Sequence, residues 1–167
     1  MATVKLNGDP VNTNGDLPSV GATAPGFELT DPELKEVSLD SLSGKRKLLN
    51  IVPSIDTGVC ALSSRKFDEA ARDNPQAAFL VISADLPFAM DRFGKSENLD
   101  NVHFLSLMRS RQFAEDYGVL LVDGPLAGIT TRAVVVLDEN NRVVHTELVD
   151  DITHEPDYDA ALQALAD

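Results

Sequence analysis

The chain has one cysteine, and it closes the stretch Pro53-Ser54-Ile55-Asp56-Thr57-Gly58-Val59-Cys60, directly after the apolar run Leu48, Leu49, Ile51 and Val52. Two patterns meet there: a buried strand that ends, and a helix that begins, because Val59, Leu62, Phe67 and Ala70/Ala71 recur at helical spacing downstream. A thiol at such a junction faces unpaired backbone N–H groups and the positive end of the helix dipole. Both favour the thiolate, and sites of this kind bring cysteine pKa values from about 8.5 to roughly 3.5–7.5. Nucleophilic chemistry near neutral pH follows. Thr57, three residues before the sulfur, carries a hydroxyl able to hydrogen-bond whatever the thiolate attacks, and it also suits the N-cap of the helix. Pro53 sets a rigid turn at the start of the loop. A lone cysteine is more often a small buried hydrophobe, but its place between strand and helix weighs against that here.

The elements that must hold this loop are legible on both sides of it. Lys47 to Val52 is too short and too apolar for a surface helix and reads as a buried strand, as does Phe79 to Ser83. With the intervening helix, stopped at Asn74-Pro75, they make a β-α-β unit. Upstream, Val4 to Leu6, the pair Asn7-Gly8 and then Val11 predict a hairpin over residues 1–15, since Asn and Gly both tolerate the positive φ of a tight turn. Downstream, the patterns predict a helix around Pro87 to Phe93, a strand at Val102 to Leu107 and a short helix at Ser110 to Tyr117. A hairpin of Ala133 to Leu137 with Arg142 to Leu148 turns at Asp138 to Asn141, and a helix spans Tyr158 to Leu165. Parallel strands early, an antiparallel hairpin late and a closing helix point to an α/β, thioredoxin-like fold with a central mixed sheet flanked by helices. No repeat or linker divides residues 1–167, so one domain is expected.

Composition narrows the partners. Lys and Arg total 14 against 27 Asp and Glu, and the net charge of -13 repels nucleic acid and anionic lipid at long range. The N-terminus lacks a charged leader with an apolar core, and no segment approaches about 18 consecutive apolar residues. A single cysteine allows no disulfide within the chain. These features predict a soluble, cytoplasmic protein. His103, His145 and His154 lack metal-ligand spacing, so neither metal nor other cofactor is expected, and surface or hairpin histidines are the simpler reading.

The constellation Pro53-x-x-x-Thr57-x-x-Cys60 resembles the active-site motif of the peroxiredoxins, in which a thioredoxin-like fold carries Thr-x-x-Cys. The resemblance runs over nearly the whole chain and narrows to the bacterial thiol peroxidase subfamily. Its segments are LNIVPSIDTGVC, SADLPFA at Ser83 to Ala89, DGPLAG at Asp123 to Gly128, RAVVVLDEN at Arg132 to Asn140, and EPDYDAAL at Glu155 to Leu162. It implies that Cys60 is the peroxidatic cysteine, that Thr57 orients the peroxide, that Pro53 shields the thiolate, and that Arg132 is the active-site arginine. A guanidinium is permanently charged and presents a fixed fork of donors, which suits both thiolate and peroxide. Without the resemblance, Arg132 reads as an ordinary charge at a strand edge.

The implied reaction is SN2 attack of the Cys60 thiolate on the O–O bond of hydrogen peroxide or an organic hydroperoxide, leaving a sulfenic acid. Thr57, Arg132 and the Cys60 amide would stabilise the charge on the departing oxygen. One departure stands out. Where the subfamily carries a resolving cysteine within Arg-Phe-Cys-Gly-Ala-Glu, this chain reads Arg92-Phe93-Gly94-Lys95-Ser96-Glu97. Recycling then needs an external thiol: a small thiol, a glutaredoxin-like protein, thioredoxin or another chain. The resemblance also implies a homodimer. Two other readings compete: a redox sensor or binding module that keeps the fold without sustained turnover, and a cysteine hydrolase with His103 or His145 as base.

Overall fold

The computed structural model describes all 167 residues. Strands β1 (Thr3–Leu6) and β2 (Asp9–Asn12) form the N-terminal hairpin, with Asn7 at φ 53° and Gly8 at φ 89° in its turn. Two successive positive φ values are what a two-residue turn between right-twisted strands requires. Further along come β3 (Glu28–Thr30), β4 (Glu36–Ser38), β5 (Lys47–Ile51), α1 (Gly58–Asp73), β6 (Ala78–Ser83), α2 (Pro87–Glu97) and β7 (His103–Ser106). The chain ends with α3 (Gln112–Asp116), β8 (Ala133–Leu137), β9 (Val143–Leu148) and α4 (Tyr158–Ala166).

Seven strands form one mixed sheet in the order β4-β3-β7-β6-β5-β8-β9, and the hairpin stays a separate two-stranded sheet. β5, β6 and β7 run parallel, whereas β8 is antiparallel to β5. All five residues of β5, all six of β6 and all five of β8 are buried, as expected of strands covered on both faces. Alternate side chains separate two cores. Leu48, Phe79, Val81, Val134 and Val136 join Cys60 and Phe67 of α1, Met90 of α2 and Leu165 of α4 on one side. On the other, Leu49, Ile51, Leu80, Ile82, Val135 and Leu137 meet Phe27, Phe113 and Tyr117.

β3 and β4, three residues each, escaped the sequence pattern, because neither is long enough to show a period. The second strand of the late hairpin begins at Val143 and not at Arg142. The Arg142 amide is held by the Asp138 side chain (2.9 Å) and its guanidinium by the Gly21 carbonyl (3.0 Å), and Arg142 makes an isolated antiparallel bridge with Thr23 outside the β8–β9 ladder. The short helix is confined to Gln112–Asp116.

For the site, one register matters most. Ile51 pairs with Ala133 across the antiparallel β5–β8 ladder. The end of β5 and the start of β8 therefore share one edge of the sheet, and whatever follows β5 meets whatever precedes β8.

Candidate active site

The loop after β5 runs from Val52 to Thr57 and delivers Cys60 in the first turn of α1. Helix α1 starts at Gly58 with Thr57 as its N-cap: the Thr57 hydroxyl accepts the Cys60 amide at 3.2 Å. That hydroxyl also donates to the Ser54 carbonyl at 3.4 Å. A helix start leaves N–H groups without intrahelical partners, and here the orphan on Cys60 is taken by Thr57. The Cys60 amide, expected to face a substrate oxygen, is thus engaged internally. Pro53 is buried at the beginning of the same loop, whereas Thr57 is exposed.

Arg132 precedes β8 and arrives at the same sheet edge. It is no surface charge: its exposure is 1%, and that of Cys60 is 0%. Its Nη2 donates to Cys60 Sγ at 3.2 Å, and its Nε donates to the Ile152 carbonyl at 2.8 Å. The remaining nitrogen, Nη1, is buried without a partner. An unpartnered buried donor is uncommon, since most such groups are satisfied, and this one sits on the guanidinium that touches the sulfur. A polar ligand arriving beside Sγ would meet a free donor there.

Residues that carried no chemical signal in the sequence support this arrangement. Thr130 hydrogen-bonds the Val52 carbonyl at 2.7 Å, which ties the segment before β8 to the start of the loop. The segment holding Ile152 is itself clamped by the N-terminal hairpin: the Lys5 amide donates to the Asp150 carbonyl and the Ile152 amide to the Lys5 carbonyl, both at 2.8 Å. Asp85, just past β6, accepts hydrogen bonds from Ser54 and Ile55 of the loop. A backbone carbonyl such as that of Ile152 leaves no trace in side-chain identity. Asp85 lies inside the SADLPFA segment, but nothing in its spacing pointed to the loop.

No histidine bonds the thiol. His103 is exposed at the start of β7, His154 is exposed next to Asp150, and His145 lies within β9 with Nε2 unpartnered. The hydrolase reading has no base beside Cys60. Gly94 lies in α2, and a Cβ built there would stand 3.0 Å from the Phe104 ring. The position expected to hold a second cysteine in relatives is therefore overhung by an aromatic ring. A cavity of about 560 Å³ opens beside it, lined among others by Met90, Leu99 and Lys95, but neither Cys60 nor Arg132 borders it.

The redoxin family profile matches residues 19–162. The thiol peroxidase of Corynebacterium glutamicum is 49% identical over 165 residues, 99% of both chains. Among solved structures, a peroxiredoxin-like protein from Aquifex aeolicus superposes with a TM-score of 0.94 at 37% identity, covering 99% of this chain and 96% of its own. A thiol peroxidase from Chromobacterium violaceum superposes with a TM-score of 0.91 at 28% identity, with the same coverage.

Proposed function

The chain belongs to the redoxin family and has the thioredoxin-like peroxiredoxin fold, and from that premise we propose that Cys60 is the residue that meets peroxide. The protein is a thiol-dependent peroxidase, a peroxide-reducing oxidoreductase. What carries the assignment to Cys60 is one observation: the sulfur is held at 3.2 Å by a buried guanidinium whose Nη1 is still free.

In the proposed reaction the Cys60 thiolate attacks one oxygen of the hydroperoxide. The S–O bond forms as the O–O bond breaks, and the departing oxygen leaves as water or an alcohol after taking a proton. Arg132 plays two parts, holding the thiolate through Nη2 and donating to the peroxide through Nη1, in a dry site where such donors count most. Thr57 orients the substrate by turning its hydroxyl away from Ser54. Pro53, buried at the loop's start, keeps bulk water from the sulfur.

Recycling needs a thiol from outside, because Cys60 is the one cysteine. A thiol R′SH attacks the sulfenic sulfur and releases water, giving a mixed disulfide. A second thiol then frees Cys60 and leaves as R′SSR′. A small thiol, a glutaredoxin-like protein and thioredoxin are the candidates. We place the enzyme in the cytoplasm as a homodimer, with residues 1–167 acting as one peroxidase unit that includes the hairpin. No helix is long and apolar enough to cross a membrane.

The test is peroxide consumption against a panel of reductants, with Cys60→Ser as the blank. Sustained turnover with any of them supports the enzyme. One equivalent consumed and no more, whatever the reductant, would leave the sensor reading in its place.

A further inference from the structure

Between the ends of β5 and β6, a carboxylate holds the Cys60 loop from the side opposite Arg132. Asp85 Oδ1 accepts the Ser54 hydroxyl at 2.9 Å, and Oδ2 accepts both the Ile55 amide at 2.8 Å and the Ser83 hydroxyl at 2.6 Å. Asp85 is itself pinned: its amide donates to Ser83 Oγ at 3.2 Å, and its carbonyl accepts the Ser106 hydroxyl at 2.5 Å. From Ser54 the bonds continue toward the sulfur. The Ser54 hydroxyl accepts the Asp56 amide at 3.1 Å, and the Ser54 carbonyl accepts Thr57, which caps Cys60. No lysine or arginine pairs with Asp85, so its oxygens serve neutral donors alone. A carboxylate that ties a loop hydroxyl and a loop amide to a strand hydroxyl is an acceptor that fixes shape.

We propose that Asp85 is a positioning residue that latches the Cys60 loop in its closed, reactive form. This rests on the peroxidase reading of Cys60. The latch has two opposite consequences. Closed, the loop aligns Thr57 and the thiol with Arg132 for attack on peroxide, and misplacement by about 1 Å costs on the order of 100-fold in rate. Closed, it also leaves Cys60 with no exposure, so any reagent larger than a peroxide, including the recycling thiol, waits for the latch to release.

Four variants test it: Asp85→Ala, Asp85→Asn, Ser54→Ala and, as a control, Asp68→Ala. Asp68 likewise accepts the Asn101 and Val102 amides and the Asn101 side chain, but at the far side of α1. The chain has no tryptophan, so the reaction with peroxide is followed by rapid quench and intact mass. Asp85→Ala is expected to slow that step by about 10- to 100-fold while speeding reduction of the sulfenic acid by a protein thiol. Asp85→Asn, which keeps an acceptor for Ser54 but turns an NH₂ toward the Ile55 amide, falls between it and the parent, as does Ser54→Ala. A bulky maleimide, applied without peroxide, should label Cys60 several-fold faster in both Asp85 variants and unchanged in Asp68→Ala. Loss of fold is read separately, by circular dichroism and the urea midpoint of each variant, and the latch is judged on Asp85 variants that keep both within the range of Asp68→Ala. A peroxide rate for Asp85→Ala within about twofold of the parent, or labelling that rises no more than in Asp68→Ala, overturns the latch. A parent that ignores peroxide overturns the peroxidase reading instead, and the maleimide arm still decides on the latch.

Discussion

Arg132 spends each nitrogen of its guanidinium differently: Nε on the Ile152 carbonyl, Nη2 on the sulfur, and Nη1 on nothing in the free protein. Burying a cation is costly unless partners compensate, and at 1% exposure the partners of this guanidinium are the Cys60 sulfur and the Ile152 carbonyl. Lysine keeps the charge and loses the fork. Arg132→Lys should therefore lower the rate constant with peroxide by roughly 100- to 1,000-fold, the usual loss when one donor to a developing oxyanion is removed, with the fold intact by circular dichroism. A variant within tenfold of the parent would show that charge alone suffices. The lone sulfur makes a second expectation concrete. Without added thiol, graded peroxide should give intact masses heavier by one oxygen, which dimedone traps, and then by two as sulfinic acid forms. A stable monomer two hydrogens lighter, with no oxygen gained, contradicts a one-cysteine cycle.

Two elements bear on the site at a distance. In α2, Gly94 leaves room for the Phe104 ring, which Phe93 contacts edge-to-face with centroids 6.0 Å apart. Glycine inside a helix costs about 1 kcal/mol against alanine, yet a methyl here would press on the ring. Gly94→Ala should change stability by less than about 1 kcal/mol, because the two effects oppose. Adding Phe104→Leu to it should beat the sum of the single changes by about 0.5 kcal/mol or more in urea titration; plain additivity would mean that the ring does not feel the methyl. The hairpin supplies the other case. Asp151 accepts the Thr153 hydroxyl at 2.7 Å and amide at 3.0 Å, and the Gly8 amide at 3.0 Å, and these bonds hold its carboxyl well below the usual range. An unfolded aspartate titrates near about 3.9. Between the two values the unfolded chain binds the extra proton, so stability falls as pH drops below about 4, and is fully present above it. Asp151→Asn should flatten that acid limb, read as the urea midpoint from pH 7 downward; an unchanged slope would rule Asp151 out as its source. The hairpin itself was legible, since Asn7-Gly8 between apolar residues has few other uses. So were β5, β6, β8 and α1, whose apolar runs or 3.6-residue period are set by burial. β3 and β4 were not, for three residues carry no period, and the clasp on Ile152 was not, because it is made by backbone.

At the scale of the molecule, the sheet brings distant segments together around one thiol. The strand order places β5 between β6 and β8, so the loop leaving β5 is flanked by Asp85 from one neighbour and Arg132 from the other. The motif Pro53-x-x-x-Thr57-x-x-Cys60 was readable because all three residues lie within one short stretch of chain. The burial of Arg132 was not, since it depends on a ladder between distant segments. A homodimer is the expected assembly, and light scattering at micromolar concentration should return twice the chain mass of 18.0 kDa; a monomer there would contradict it. The antiparallel pairing of β5 with β8 has one more consequence, in the order of synthesis. Cys60 and Arg132 are 72 positions apart, and at roughly 5–20 residues per second the ribosome needs on the order of ten seconds to go from one to the other. The Ile152 carbonyl that steers the guanidinium is made later still. Throughout that interval the nascent chain carries its thiol without its cation, so on the proposed mechanism Cys60 reacts with peroxide no faster than an ordinary cysteine until the last strands close the sheet.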